Sequence, residues 1–185
     1  MTMKKKSHIR IKPYTLHILG IRAMSADVFD LPPENNAVIV CCKRDNAFIS
    51  EELDPNKVLW INFPDVEDRH YPDAFNRIHA RIIIQFIYGL PDSVTDIYIC
   101  CAKGGSCSPA VAAALLRASG RSDRDVWENP FYNPNTLVYL RLCREFGLKT
   151  NGLSTYCRKW INERAYKKAQ KEKGSVKYER WQILK

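Results

Sequence analysis

Residues 101–108 read CAKGGSCS and bring two thiols, two hydroxyls and two adjacent glycines into one turn-sized stretch. The apolar run DIYICC (96–101) leads into it, and SPAVAAALLRAS (108–119) leads out. A thiol at a strand end, facing backbone N–H groups that a helix start extends, is favoured as thiolate by the same donors that bind phosphate oxygens. Hydrolysis of a phosphomonoester through cysteine asks for three further parts. A guanidinium must grip two of the oxygens as charge spreads over them. An acid must protonate the leaving oxygen. A hydroxyl beside the sulfur must help when the phosphocysteine is later hydrolysed.

Cys101 supplies the thiol and Gly104 with Gly105 the freedom to fold around an anion. Ser106 and Ser108 supply hydroxyls, and Ala102, Lys103 and Cys107 complete the turn. A phosphate or sulfate is the ligand such a turn would seat.

These residues need a strand before them and a helix after them. YTLHILGI (14–21), NAVIVCC (36–42), KVLWINF (57–63) and DIYICC are short runs rich in Val and Ile, and all four read as strands. The last lacks alternation, which suits a strand buried on both faces of an α/β sheet. In PDAFNRIHARIIIQFIYGL (72–90) the apolar residues recur at helical spacing between Pro72 and Gly89. Ser108 reads as the N-cap of the next helix, Pro109 as its first residue and Gly120 as its stop. Further helices are expected at 122–129, 133–147 and 153–173. Strands alternating with helices define an α/β fold: a central mixed, mostly parallel sheet flanked by helices.

CAKGGSCS resembles the signature C-x-x-G-x-S-R-S of dual-specificity, cysteine-based protein phosphatases, in a bacterial-type form. The resemblance puts Cys101 at the nucleophile, Gly104 and Ser106 at the loop glycine and serine, and Ser108 at the hydroxyl after the arginine. INFPDVEDRHYPDAF (61–75) resembles the segment that carries the general acid and places Asp65 there, 36 residues before Cys101. Asp68 and Asp73 are alternatives for that acid, with Asp73 read as part of the first turn of its helix. NPFYNPNTLVYL (129–140) resembles the start of a late helix in the family. Likeness extends over about residues 14–148 and implies a phosphatase-like fold with no cofactor.

Two departures govern the function. Where the family has His before the nucleophile, this chain has Cys100, and where it has the phosphate-gripping Arg, this chain has Cys107. A neutral thiol has neither the charge nor the bidentate fork. An arginine acting on a transferring phosphoryl group is worth about 10³–10⁵ in rate. The expectation is therefore a phosphatase-like protein with weak or absent hydrolysis and a surviving phosphate-binding loop. Its partner would be a phosphorylated protein or a small phosphate ester. An active enzyme that recruits another cation, Lys103 for example, is the alternative. A redox sensor pairing Cys101 with Cys107 is a further one. Arg141 and Arg144 also lie on a later helix, but the sequence does not place them. His70, His79 and Cys41–Cys42 read as packing or surface residues, and no metal site is expected.

The rest of the sequence is that of a 185-residue protein with one core, 45% hydrophobic and 26% charged. No apolar run spans a membrane, and the basic start lacks the apolar stretch of a signal peptide. Seven cysteines in awkward adjacent pairs suit a reducing, cytoplasmic compartment rather than a disulfide framework. The net charge of +9 sits at the ends: five Lys/Arg without an acid in 1–12, and ten against three acids in 158–185. We therefore divide the chain into a basic arm (1–12), a phosphatase-like domain (13–165) and a basic tail (166–185), its last residues expected to be mobile. Basic ends suit solvation, and contact with nucleic acid is the weaker reading.

Overall fold

The computed structural model describes residues 10–20, 33–42, 54–172 and 182–184. Most of the basic arm and residues 173–181 of the basic tail lie outside them. Five strands form one sheet: β1 (Thr15–Gly20), β2 (Asn36–Cys41), β3 (Val58–Trp60), β4 (Asp96–Cys101) and β5 (Gln182–Leu184). Their order is β3-β2-β4-β1-β5. The first four run parallel, and β5 pairs antiparallel with β1. The sheet is thus mixed and mostly parallel, as the sequence predicts.

β4 enters the slot between β1 and β2. Its neighbours are in register from end to end, so Gly20, Cys41 and Cys101 form one row across the carboxyl edge of the sheet. In open parallel sheets that edge is where ligands bind.

Side-chain alternation sorts β4 onto two faces. Ile97, Ile99 and Cys101 join the main core with Leu16, Ile18, Ala37, Ile39 and Cys41, under the helices. Tyr98 and Cys100 join Leu19, Val38 and Val40 on the opposite face. Both faces are buried, which explains why β4 shows no polar alternation.

The helices are α1 (Arg77–Gly89), α2 (Cys107–Ala118), α3 (Arg124–Glu128), α4 (Thr136–Glu145) and α5 (Gly152–Glu172). α2 is buried at every residue but Arg117. Its alanines at 110, 112, 113 and 114 let it lie close against the sheet, and α4 packs on its outer side.

Several boundaries, and one element, differ from the sequence expectation. The strand predicted over 57–63 is limited to Val58–Trp60, because Asp54 and Pro55 set up a 3-10 turn through Lys57. α1 begins at Arg77 rather than near Pro72. Asn76 accepts from the N–H groups of Ile78 and His79, and His79 Nδ1 accepts from the Asn76 N–H, a reciprocal cap. Asp73 therefore sits in the preceding turn, with φ of 58°, and not in the helix. α2 begins at Cys107, one residue before the predicted N-cap. Finally, the sequence predicts no strand after residue 165, yet Gln182–Leu184 closes the β1 edge and buries Leu184.

Candidate functional site

β4 delivers Cys101 to the carboxyl edge of the sheet, and α2 begins six residues later. The turn between them is fixed from both sides. Gly104 has a φ of +69°, and a Cβ there would lie 2.6 Å from the Gly20 nitrogen and 2.8 Å from the Leu19 carbonyl carbon. Only glycine satisfies both the conformation and the contact. On the other side, the carbonyls of Gly105 and Ser106 accept from the N–H groups of Asn133 and Asn135, the segment leading into α4.

Within this frame Cys101 and Ser108 are buried, with Cys101 Sγ and Ser108 Oγ 3.1 Å apart. Ser108 is thus the second residue of α2 rather than its cap, and its hydroxyl is engaged with sulfur. Ser106 holds the N-cap position but makes no side-chain cap. Its hydroxyl donates instead to Asp65 Oδ1 at 2.8 Å. Ala102 and Lys103 are exposed, and Gly104 is buried beneath them.

Asp65 is the aspartate that the fold brings to the loop. Oδ1 also accepts from Asn135 Nδ2 at 2.9 Å, and the carboxylate charge acts on the buried Cys107 thiol. Burial first, and the Asp65 charge next, push the Cys107 thiol far above its ordinary range. Cys107 is a neutral thiol at every physiological pH. Asp68 and Asp73 stand elsewhere. Asp68 accepts from the His70 N–H in its own turn. Asp73 lines a cleft of about 520 Å³ with Asn62, Phe63, Pro64, Tyr71, Pro72 and His79, a cleft that none of residues 101–108 lines.

Cys100 and Cys41 are buried in the sheet. Cys100 turns to the face of the sheet away from α2, and burial raises its pKa well above the ordinary value, with Cys101 adding to it. Cys41, beside Cys101 in the register, is raised by burial first and by neighbouring Cys101 next. None of the seven cysteines is in a disulfide. His79 packs against Phe63 and Phe75, and His70 accepts from Arg69 Nε. Among the described residues no group of His, Cys, Asp and Glu is arranged to hold a metal ion.

Asn135 is the residue that sequence reading missed as part of the site. It is fully buried, its Oδ1 caps α4 through the Val138 N–H, and its Nδ2 binds both Asp65 and the Val66 carbonyl. Its backbone N–H holds the loop. One residue, through its side chain and its backbone N–H, thereby ties α4, the loop and the acid-bearing segment together. The signal available was NPN (133–135), which marks a helix start but not this second set of bonds. Glu67 and Lys159 were missed too: Glu67 accepts from the Thr136 N–H and pairs with Lys159 on α5.

No protein-family model matches the chain, and no curated protein matches it in sequence. A solved structure does resemble it: human tyrosine phosphatase-like serine/threonine/tyrosine-interacting protein, with a TM-score of 0.52 and 17% sequence identity. The match covers 74% of this chain and 97% of the human one. The chain has a phosphatase-like fold.

Proposed function

We propose that the protein is a phosphatase-like binder of phosphoryl groups, with hydrolysis weak or absent. Its ligand would be a phosphorylated protein or a small phosphate ester, and it would work in a reducing, cytoplasmic setting. The observation that carries the reading is Cys107. A strand, a glycine turn and a helix start surround Cys101 as phosphate chemistry requires, yet the position expected to hold the guanidinium holds a buried neutral thiol.

Cys101 is the nucleophile of this site and Ser108 the hydroxyl beside it. The loop residues Ala102, Lys103, Gly104, Gly105, Ser106, Cys107 and Ser108 form the cradle. Lys103 is exposed, and an ammonium on a flexible stem does not reproduce a fixed fork. The likeness to the human phosphatase-like protein supports the fold on which this reading stands, and seven cysteines, two pairs of them adjacent, suit the compartment.

The test is hydrolysis of p-nitrophenyl phosphate by native and Cys101→Ser protein, alongside binding of inorganic phosphate. The native protein is expected to bind phosphate while turning over ester slowly or not at all, with any turnover abolished in Cys101→Ser. Fast turnover by the native protein, or turnover that survives Cys101→Ser, overturns the reading.

A further inference from the structure

This inference rests on the reading of residues 101–108 as an anion cradle and concerns the charge that the fold places against it. That charge is negative. The Asp65 carboxylate receives the Ser106 hydroxyl and the Asn135 side-chain amide. The first of these donors stands at the helix end of the loop, and the second is fully buried.

The donors are committed rather than incidental. Ser106 stands at the N-cap of α2, where a serine oxygen ordinarily accepts from the helix N–H groups. Here it makes no cap, and its hydroxyl is turned to Asp65. Asn135 is sealed from solvent and gives one amide hydrogen to the Val66 carbonyl, so the hydrogen held by Asp65 must keep an acceptor or bear the cost of an unpaired buried donor. Only an incoming oxygen that replaces the carboxylate oxygen leaves both satisfied. A phosphoryl oxygen has that chemistry.

We propose that Asp65 is the resident counter-anion of the loop: it occupies side-chain donors that a phosphoryl oxygen would use and sets a charge barrier to dianions. The other charges nearby do not cancel it. Glu67, two residues on, adds a second carboxylate, which Lys159 of α5 pairs. Cys107 contributes no cation, and Lys103 is exposed. Cys41 and Cys107 both carry thiols whose ionisation the Asp65 charge opposes. A ligand enters the cradle when it displaces this carboxylate. Asp65 therefore acts as a specificity-determining residue in addition to any part in proton transfer.

The test is sulfate binding by isothermal titration calorimetry near neutral pH, since sulfate stays a dianion there and cannot be hydrolysed. Native protein is compared with Asp65→Asn, which keeps an acceptor for Ser106 and Asn135 without the charge, and with Asp65→Glu, which keeps the charge. Asp65→Asn is expected to bind sulfate about tenfold tighter or more, because removing one like charge at contact range acts strongly in a partly buried site. Asp65→Glu is expected to bind no tighter than native. Asp65→Ser, with a smaller neutral side chain, serves if the asparagine variant does not fold, and is expected to gain in the same direction. Equal affinity of native and neutral variants overturns the counter-anion and leaves the cradle standing, as does an equal gain in Asp65→Glu. Failure of native and neutral variants alike to take up sulfate at tens of millimolar instead overturns the cradle, and with it the function proposed above.

Discussion

Gly104 and Cys107 divide the site between shape and charge. Gly104 has a positive φ and lies against β1 so closely that a methyl group has no room. Gly104→Ala is expected to cost about 1–3 kcal/mol from backbone conformation alone, and more from the clash with Gly20. Thermal unfolding would read that loss, and phosphate binding would fall with it; an alanine variant with native stability and binding would show that the turn adapts. Gly104, Ser106, Cys107 and Ser108 are legible as a group because each is a residue type at a spacing within one short segment. Asp65 was legible only through the family resemblance. Asn135 was not legible as a site residue at all. Its bonds to Asp65 span 70 positions of sequence, and no local pattern reports them.

Among the elements, the buried Asp123 carboxylate joins four helices. Tyr139 Oη donates to it at 2.6 Å from α4, and Trp127 Nε1 donates at 3.1 Å from α3. Arg158 of α5 adds a salt bridge at 3.1 Å, and Arg117 of α2 donates to the Tyr139 hydroxyl. This network braces the side of α2 remote from the loop. Burial first, then the Cys143 and Asp123 neighbours, raise the Tyr139 pKa, so the hydroxyl keeps its proton and remains a donor. Tyr139→Phe removes that donor and leaves Asp123 and Arg117 each short of a partner. The expected loss is about 1–3 kcal/mol by chemical denaturation, and an unchanged midpoint would show that the network is dispensable. Helix existence was legible from apolar spacing, whereas helix starts were less so. Ser108 followed by Pro109 carries the usual mark of a start, but the chain begins α2 at Cys107 because the Ser108 hydroxyl is taken by the Cys101 sulfur.

On the scale of the whole molecule, the four parallel strands follow from four apolar runs, and the insertion of β4 between β1 and β2 puts Cys101 at the centre of the carboxyl edge. The sequence supports that sheet but not β5. Three residues in a basic stretch carry too short a pattern to read as a strand, and only the pairing of Leu184 with Leu16 on β1 defines them. Ending the chain at residue 181 is expected to cost about 1–3 kcal/mol through the lost burial of Leu184 and the opened edge of β1. Unfolding of the truncated protein at the native temperature would contradict that. No described helix is long and apolar enough to cross a membrane. On the function proposed above, the loop seats a phosphate and lacks the cation that would make it a catalyst. The direct measurement is p-nitrophenyl phosphate turnover by Cys107→Arg against native protein, both shown to be folded. A gain of about 10²-fold or more, lost again when Cys101→Ser is added, is the predicted result. A folded Cys107→Arg protein that turns over no faster than native would contradict the account.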